Sequence, residues 1–310
     1  MLKKLLPQNK SETGLFIILV LFMLGLGAKI SYLLDLINHF RPYLLLVFLC
    51  LIIYQALKKY QSKIWIYLVL ALLLNLNTFP HLPSRLSSPE LSNSTIKIMH
   101  LNLLAGNNNY QKTLNLIKTH NPHLISFQEA TLAWEKKIQE ELTEYNFVCK
   151  PIDSPFGICV AINIPIIEQS IFYLSDSHIP AIYIKSQVNN QYLSLVFVHP
   201  PPPFNSFFFE QRNAYYEKLI NKIQGDENLI LVGDLNITQW SPIYQELESK
   251  LSLRNTLSGF EHTWPSFFPV PIFQLDHILI SQNLGLIKAQ VLENIGSDHF
   301  PLISEIAIFN

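Results

Sequence analysis

The feature that most constrains this chain is a change of texture near residue 94. Before it lie three nearly uninterrupted apolar runs, Gly14 to Ile30, Pro42 to Leu57 and Ile64 to Phe79. Each is near the lower limit of the roughly 17 to 25 residues that a spanning helix needs, and none has the polar stripe of a helix packed on a soluble core. The runs are therefore expected to form three transmembrane helices, an anchor over residues 1–80. A cleaved signal peptide is the alternative for the first run, with Gly25-Leu26-Gly27-Ala28 as its small-residue site. Lys3, Lys4 and Lys10 precede the first run and Lys58, Lys59 and Lys63 separate the second from the third, while the loop between has Lys29 and Arg41 against Asp35. Both Lys-rich flanks should face the cytoplasm, which puts everything after the third run on the opposite side of the membrane. Residues 81–94, within the Pro- and Ser-rich stretch PHLPSRLSSPELSNS, read as a linker.

From residue 95 to 310 short β-rich runs alternate with helical ones. Ile96 to Leu101, His123 to Phe127, Cys159 to Ile164, Tyr192 to Val198, Leu229 to Val232, Gln274 to Ile280 and Pro301 to Ile308 have the composition of strands. Tyr110 to His120 and Glu210 to Ile223 carry apolar residues at helical spacing. Hairpins interrupt a strict βαβ alternation, so the residues point to a layered α/β sandwich with mixed sheets.

Residues 1–80 hold eight Lys/Arg against two acids, leaving 14 against 21 for residues 81–310. An acidic domain lacks the broad basic face that tracks a phosphate backbone, although a metal ion can supply positive charge locally. Three cysteines and no Cys/His cluster exclude a disulfide scaffold and structural zinc. Cys149 and Cys159 flank a turn centred on Ser154, where a hairpin would set them opposite each other for a disulfide; two small apolar core residues is the competing reading.

The polar residues able to do chemistry fall at strand ends. Asn102 follows IKIMHL, Glu129 ends HLISFQE, His199 ends LSLVFV, and Asp234 with Asn236 ends LILVG. Asp276 lies within QLDHILI, and Asp298 with His299 precedes the last strand. Polar groups converging at one sheet edge are the usual mark of a site. Asp234 and Asn236 are two apart and leave the same face, so a carboxylate and an amide are presented together. Gly-Asp-x-Asn is also good turn chemistry, and Glu129 could equally be a helix-start carboxylate. His277, next to Asp276, should point to the opposite face.

The ordered set NLL, QE, HPPPP, GDLN, TWP, LDHI and GSDHFP resembles the endonuclease/exonuclease/phosphatase superfamily and covers nearly all of residues 96–306. HPPPP, the later Arg212, the WSP after GDLN and the leading apolar runs resemble its bacterial membrane-anchored branch. The resemblance implies a four-layer α/β sandwich with two mixed sheets, preceded by the three transmembrane helices. It implies a phosphodiester hydrolase using magnesium or manganese, with Glu129, Asn102 and Asp298 at the metal. Asp234 and Asn236 would handle the water and phosphoryl oxygen, Asp276 would fix His299, and His199 would donate to the phosphate. Two departures fall outside this set: FGICVAINIPI lacks the Ser-Arg frequent in the family, and His123 stands in place of an acid. Nuclease-like cleavage is the first reading of the activity, with a phospholipid or small phosphoester as the alternative substrate and a catalytically dead tethered binding domain as the third reading. The expected partners are the phosphodiester and the membrane, with no protein partner, and the expected location is the bacterial inner membrane with the catalytic domain in the periplasm or outside the cell. The run HPPPPFNSFFF is expected to present Phe204, Phe207, Phe208 and Phe209 from a loop, either tucked onto the core or exposed as an apolar lip.

Overall fold

Strand-forming runs separated by Gly, Pro and Asn turns produce two six-stranded sheets in a computed structural model that describes residues 7, 9–58, 64–76, 94–174, 178–258, 260–268 and 272–309. Among these the elements are α1 (Lys10–Gly25), α2 (Tyr32–His39), α3 (Arg41–Leu57), α4 (Ile64–Asn75), β1 (Ser94–Asn102), α5 (Tyr110–His120), β2 (Leu124–Gln128), α6 (Leu132–Glu141), β3 (Asn146–Lys150), β4 (Ile158–Ile162), β5 (Ile166–Tyr173), β6 (Pro180–Val188), β7 (Gln191–Phe197), α7 (Ser206–Ile223), β8 (Leu229–Asp234), α8 (Pro242–Leu251), β9 (Leu253–Asn255), β10 (Asp276–Ser281), β11 (Gly285–Val291) and β12 (Leu302–Ile308).

One sheet runs β11-β12-β1-β2-β4-β3 and the other β5-β6-β7-β8-β10-β9. The pairs β1/β2 and β7/β8 are parallel, and the other pairings are antiparallel. The inner faces meet in one apolar layer that includes Ile98, Leu124 and Val160 from one sheet and Ile184, Phe197 and Val232 from the other. On the outer faces, α5 and α6 cover the first sheet through Leu114, Ile117 and Trp134, and α7 and α8 cover the second through Tyr215, Leu219 and Leu247. This is the four-layer sandwich expected.

Cys149 and Cys159 stand directly opposite each other across the β3/β4 pair and are bonded. Gly233 is required by the close approach of β7: a Cβ there would stand 2.0 Å from the Val198 carbonyl oxygen. His123 takes a structural role, its Nδ1 accepting from Lys97 N at 2.9 Å.

The three straight spans are corrected. Among the described residues no single helix is long and apolar enough to cross a membrane. The first run breaks at Gly25, and the residues after it turn before α2 begins. At 16, 17 and 12 residues, α1, α3 and α4 reach about 18 to 26 Å against a hydrocarbon thickness of about 30 Å. Only α2 with α3, bent by 59° between them, together attain the length and composition of a span. The linker reading falls on residues that, apart from Ser94 at the start of β1, lie outside those described.

The aromatic run is also corrected. Helix α7 begins at Ser206, its N-cap Asn205 accepting from Phe208 N, so three of the four rings lie in its first turn and not in a loop. Phe209 is buried, whereas Phe204 and Phe207 are exposed.

Candidate active site

The topology explains why the polar residues collect at one edge. Parallel β1 and β2 end together at Asn102 and Gln128, and parallel β7 and β8 end at Phe197 and Asp234. The antiparallel neighbours β10 and β12 enter at that same edge, which brings in Asp276, opposite Asp234, and His299 just before β12.

Asp276 is fully buried between two imidazoles, with Oδ2 2.7 Å from His299 Nδ1 and Oδ1 2.9 Å from His100 Nε2. The far nitrogen of His299, Nε2, lies 3.6 Å from Asp234 Oδ2. His199 Nε2 approaches that same oxygen at 3.5 Å, and Asn102 Nδ2 donates to it at 3.2 Å. Asp234 Oδ1 accepts from Asn236 N at 2.9 Å. Burial by itself would raise both carboxyls. The charge of His299 with the bonds of His100 and His299 outweighs it at Asp276, and His299 with His199 outweighs it at Asp234, so both pKa values are lowered. Burial would lower His299, but Asp276 and Asp234 overcome it and raise the imidazolium to about 10.

Glu129 sits beyond the end of β2 with φ 56°, a left-handed conformation uncommon outside glycine. Its carboxylate takes Asn102 Nδ2 at 3.2 Å and Ala105 N at 2.9 Å. Leu104 (φ 58°) and Asn236 (φ 51°), at the same edge, are left-handed too. Asp298 accepts from Trp264 Nε1 at 3.1 Å through Oδ2, while its Oδ1 is buried with no hydrogen-bond partner among the described residues.

Seven of the expected residues are thus linked by contacts: Asn102, Glu129, His199, Asp234, Asn236, Asp276 and His299. Asp298 joins them through the chain at His299 and through Trp264, whose ring centroid is 6.4 Å from that of His299. The Asn236 amide donates to the Pro200 carbonyl at 2.9 Å, so it braces the proline loop instead of projecting free toward a phosphoryl oxygen. His277 points away, as expected, with Nε2 3.0 Å from the Ile237 carbonyl.

One residue, His100, escapes the sequence reading, and Gln128, which stands with Glu129 at the end of HLISF, takes a role that the sequence does not show. His100 holds the second oxygen of Asp276, and its position two before Asn102 on β1 put it on the same face. Gln128 bridges the sheets: its Nε2 donates to the Val198 carbonyl and its Oε1 accepts from Asp234 N at 2.7 Å.

Asp234, Asp276 and His299 offer ligand atoms within 4.8 Å of one another, close enough to share a cation. Both oxygens of Asp276 already hold imidazoles, however, and an ion there would displace them. Hard oxygen donors suit magnesium better. Glu129, the Asn102 amide and the unpartnered oxygen of Asp298 are that kind of donor.

Two mixed sheets between helical layers, with carboxylates and imidazoles interlocked where the central strands end, define a four-layer α/β sandwich with a polar site at one edge. The chain belongs to the endonuclease/exonuclease/phosphatase family, whose model matches residues 99–299. This is a family of phosphoester hydrolases, typically dependent on a divalent metal. No curated protein sequence matches the chain significantly. Similar solved structures include a family member from Bacteroides thetaiotaomicron, 18% identical with TM-score 0.59 over 70% of this chain and 99% of that one. A mannosyl-6-phosphatase of the same organism is 19% identical with TM-score 0.58 over 69% and 100%. TDP2 of D. rerio, complexed with a single-strand DNA product, is 14% identical with TM-score 0.58 over 69% and 99%. At these identities the likeness establishes the fold.

Proposed function

We propose that the chain is a metal-dependent phosphoester hydrolase in which water attacks phosphorus in line. The observation that carries this reading is the Asp276–His299–Asp234 array, with His199 and Asn102 on the same Asp234 oxygen. Asp234 orients the water and accepts its proton as the new P–O bond forms. The ester P–O bond breaks, and the leaving oxygen takes up a proton, so no covalent enzyme intermediate is required. Asp276 fixes which His299 nitrogen faces Asp234 and stabilises the charged ring, while His199 donates to the phosphoryl group. Glu129, Asn102 and Asp298 would hold magnesium, which supplies positive charge to the phosphoryl oxygens when bound. The mannosyl-6-phosphatase and the TDP2 complex with a DNA product show that this fold serves both small esters and nucleic acid.

The helices α1, α3 and α4 bury a small apolar core around Leu15, Phe22, Phe48 and Tyr67, yet expose Ile17, Leu46, Ile53, Trp65 and Leu73 outward. A helical unit apolar both inside and outside supports a seat in lipid. The side of the membrane on which the catalytic domain lies depends on how many times the bundle crosses it; an odd number of crossings from the Lys-rich N-terminal flank would put the domain outside the cytoplasm, and a reporter active only there, fused after Asn310, tests it.

Purified full-length chain in detergent with magnesium should hydrolyse bis(p-nitrophenyl) phosphate, and chelation should abolish the reaction. Glu129→Gln and Asp234→Asn should each lower the rate by about 100-fold or more. Full activity of the Asp234 variant would overturn the assignment.

A further inference from the structure

Helix α2 is amphipathic in the wrong sense for a helix on a soluble protein. Asp35, Asn38 and His39 are buried, at 2%, 0% and 6% exposure, whereas Leu33 and Leu36 face outward at 58% and 36%. Ile30 just before the helix is 82% exposed, and Phe40 just after it 47%. The inward polar face is a built joint. Asp35 Oδ2 accepts from the buried Arg212 of α7 at 2.8 Å, and Oδ1 accepts from Ser241 Oγ at 3.0 Å. His39 Nδ1 lies 2.9 Å from Thr238 Oγ1, and Asn38 Nδ2 donates to the Gly25 carbonyl at 2.9 Å. Desolvating an ion pair is costly, and the bonds from Ser241 and Arg212 to Asp35 offset that cost in part, while Arg212 Nη1 and Asn38 Oδ1 are buried without a hydrogen-bond partner among the described residues. It explains Arg212, whose guanidinium serves α2 and not the phosphoester site.

The joint grips the catalytic edge. Thr238 and Ser241 follow directly on Asp234 and Asn236. At the α2/α3 bend the Phe40 ring meets Phe273 edge-on at 5.1 Å, Phe273 stacks on Trp264 at 6.1 Å, and Trp264 holds Asp298. Tyr43 of α3 donates to the Ile272 carbonyl. Exposed aromatics stand on two segments next to the site: Phe204 and Phe207 follow the loop after His199, and Phe267 and Phe268 follow Ser266, whose N–H donates to the Asp298 carbonyl. Helix α3, which follows α2 across the bend, also exposes leucine and isoleucine side chains, at Leu46, Leu49 and Ile53. An apolar medium favours a helix that buries its charge and exposes its leucines, and the outward apolar side chains of α3, next in the chain, and of α1 and α4 favour lipid as that medium.

We propose that α2 is an interfacial helix that lies with Leu33 and Leu36 in a bilayer and holds the catalytic edge at its surface, so that the phosphoester reaching this site is carried by a membrane lipid. The substrate half of the inference rests on the phosphoester-hydrolase reading; the lipid contact does not.

Full-length chain reconstituted in vesicles of phosphatidylethanolamine and phosphatidylglycerol tests both halves. A fluorophore on Leu36→Cys in a Cys50→Ser background should be quenched by nitroxide-labelled lipid, and one on Lys136→Cys, in the helical layer over the other sheet, should not. An unquenched Leu36 label overturns the contact; if it is also shielded from aqueous iodide, a protein or a second copy covers the face instead. Leu33→Ser with Leu36→Ser should lower phosphoester cleavage of the vesicle lipids at least about tenfold, as expected from lost apolar burial, and spare bis(p-nitrophenyl) phosphate. Equal loss on both would show a folding role, and cleavage of the soluble ester with no lipid cleaved by the unsubstituted chain would overturn the lipid substrate. If the soluble ester is not cleaved at all, the hydrolase reading fails while the quenching still reports on the lipid contact.

Discussion

Asp276 and His299 are joined by a 2.7 Å contact between Oδ2 and Nδ1, which leaves His299 Nε2 as the nitrogen facing Asp234. An amide at position 276 keeps the shape but loses the charge that opposes the desolvation of His299. Asp276→Asn should therefore lower kcat by about 100-fold or more with little change in KM. Steady-state kinetics, with circular dichroism to establish folding, check this; a loss confined to KM would contradict it.

Gln128 ties the two sheets together at the catalytic edge. Replacing it by Leu strands the Asp234 N–H and the Val198 carbonyl, both paired only with Gln128 in their side-chain contacts across the sheets. Unsatisfied buried polar groups cost about 1–3 kcal/mol each, so the variant should lose about 2–6 kcal/mol. Denaturant unfolding measures it, and a loss under about 0.5 kcal/mol, the size of an ordinary surface substitution, would contradict the bridge.

Much of this arrangement is legible in the sequence because it follows from period and position. Strand-end polar residues marked Asn102, Glu129, His199, Asp234, Asp276 and Asp298 with His299, and helical spacing marked α5 to the residue. Polar groups inside strands were harder to see. His100 lies between Met99 and Leu101, and Gln128 stands beside Glu129 at the end of its strand; only the packing of one sheet on the other gives them their partners Asp276, Val198 and Asp234. Strand β5, polar on much of its exposed length, and the three-residue β9 carry too little apolar alternation to stand out. The role of α2 was hidden for the opposite reason: its leucines blended into the neighbouring apolar runs, and the meaning of Asp35 depends on Arg212, 177 residues away.

His277 gives a pH signature separate from catalysis. Burial pushes its imidazole down to about 4, offset only in part by the Ile237 carbonyl. Above the unfolded value of about 6.5 both states are neutral and the group is silent. As the pH falls from there toward the folded value, the unfolded chain binds a proton that the folded chain does not, so stability falls, by about 3 kcal/mol at the lower end. Unfolding profiles of the unsubstituted chain and His277→Asn across that window should diverge in slope; parallel profiles would contradict the assignment.

At the edge where Asp234, His299 and Glu129 meet, water should attack phosphorus and leave the aryl–oxygen bond of the leaving group intact. Hydrolysis of bis(p-nitrophenyl) phosphate by the full-length chain, run in water enriched in the heavy oxygen isotope and read by mass spectrometry, tests it most directly. One heavy oxygen is expected in the p-nitrophenyl phosphate product and none in the released p-nitrophenol. Label in the p-nitrophenol, or an unlabelled phosphate, would contradict it.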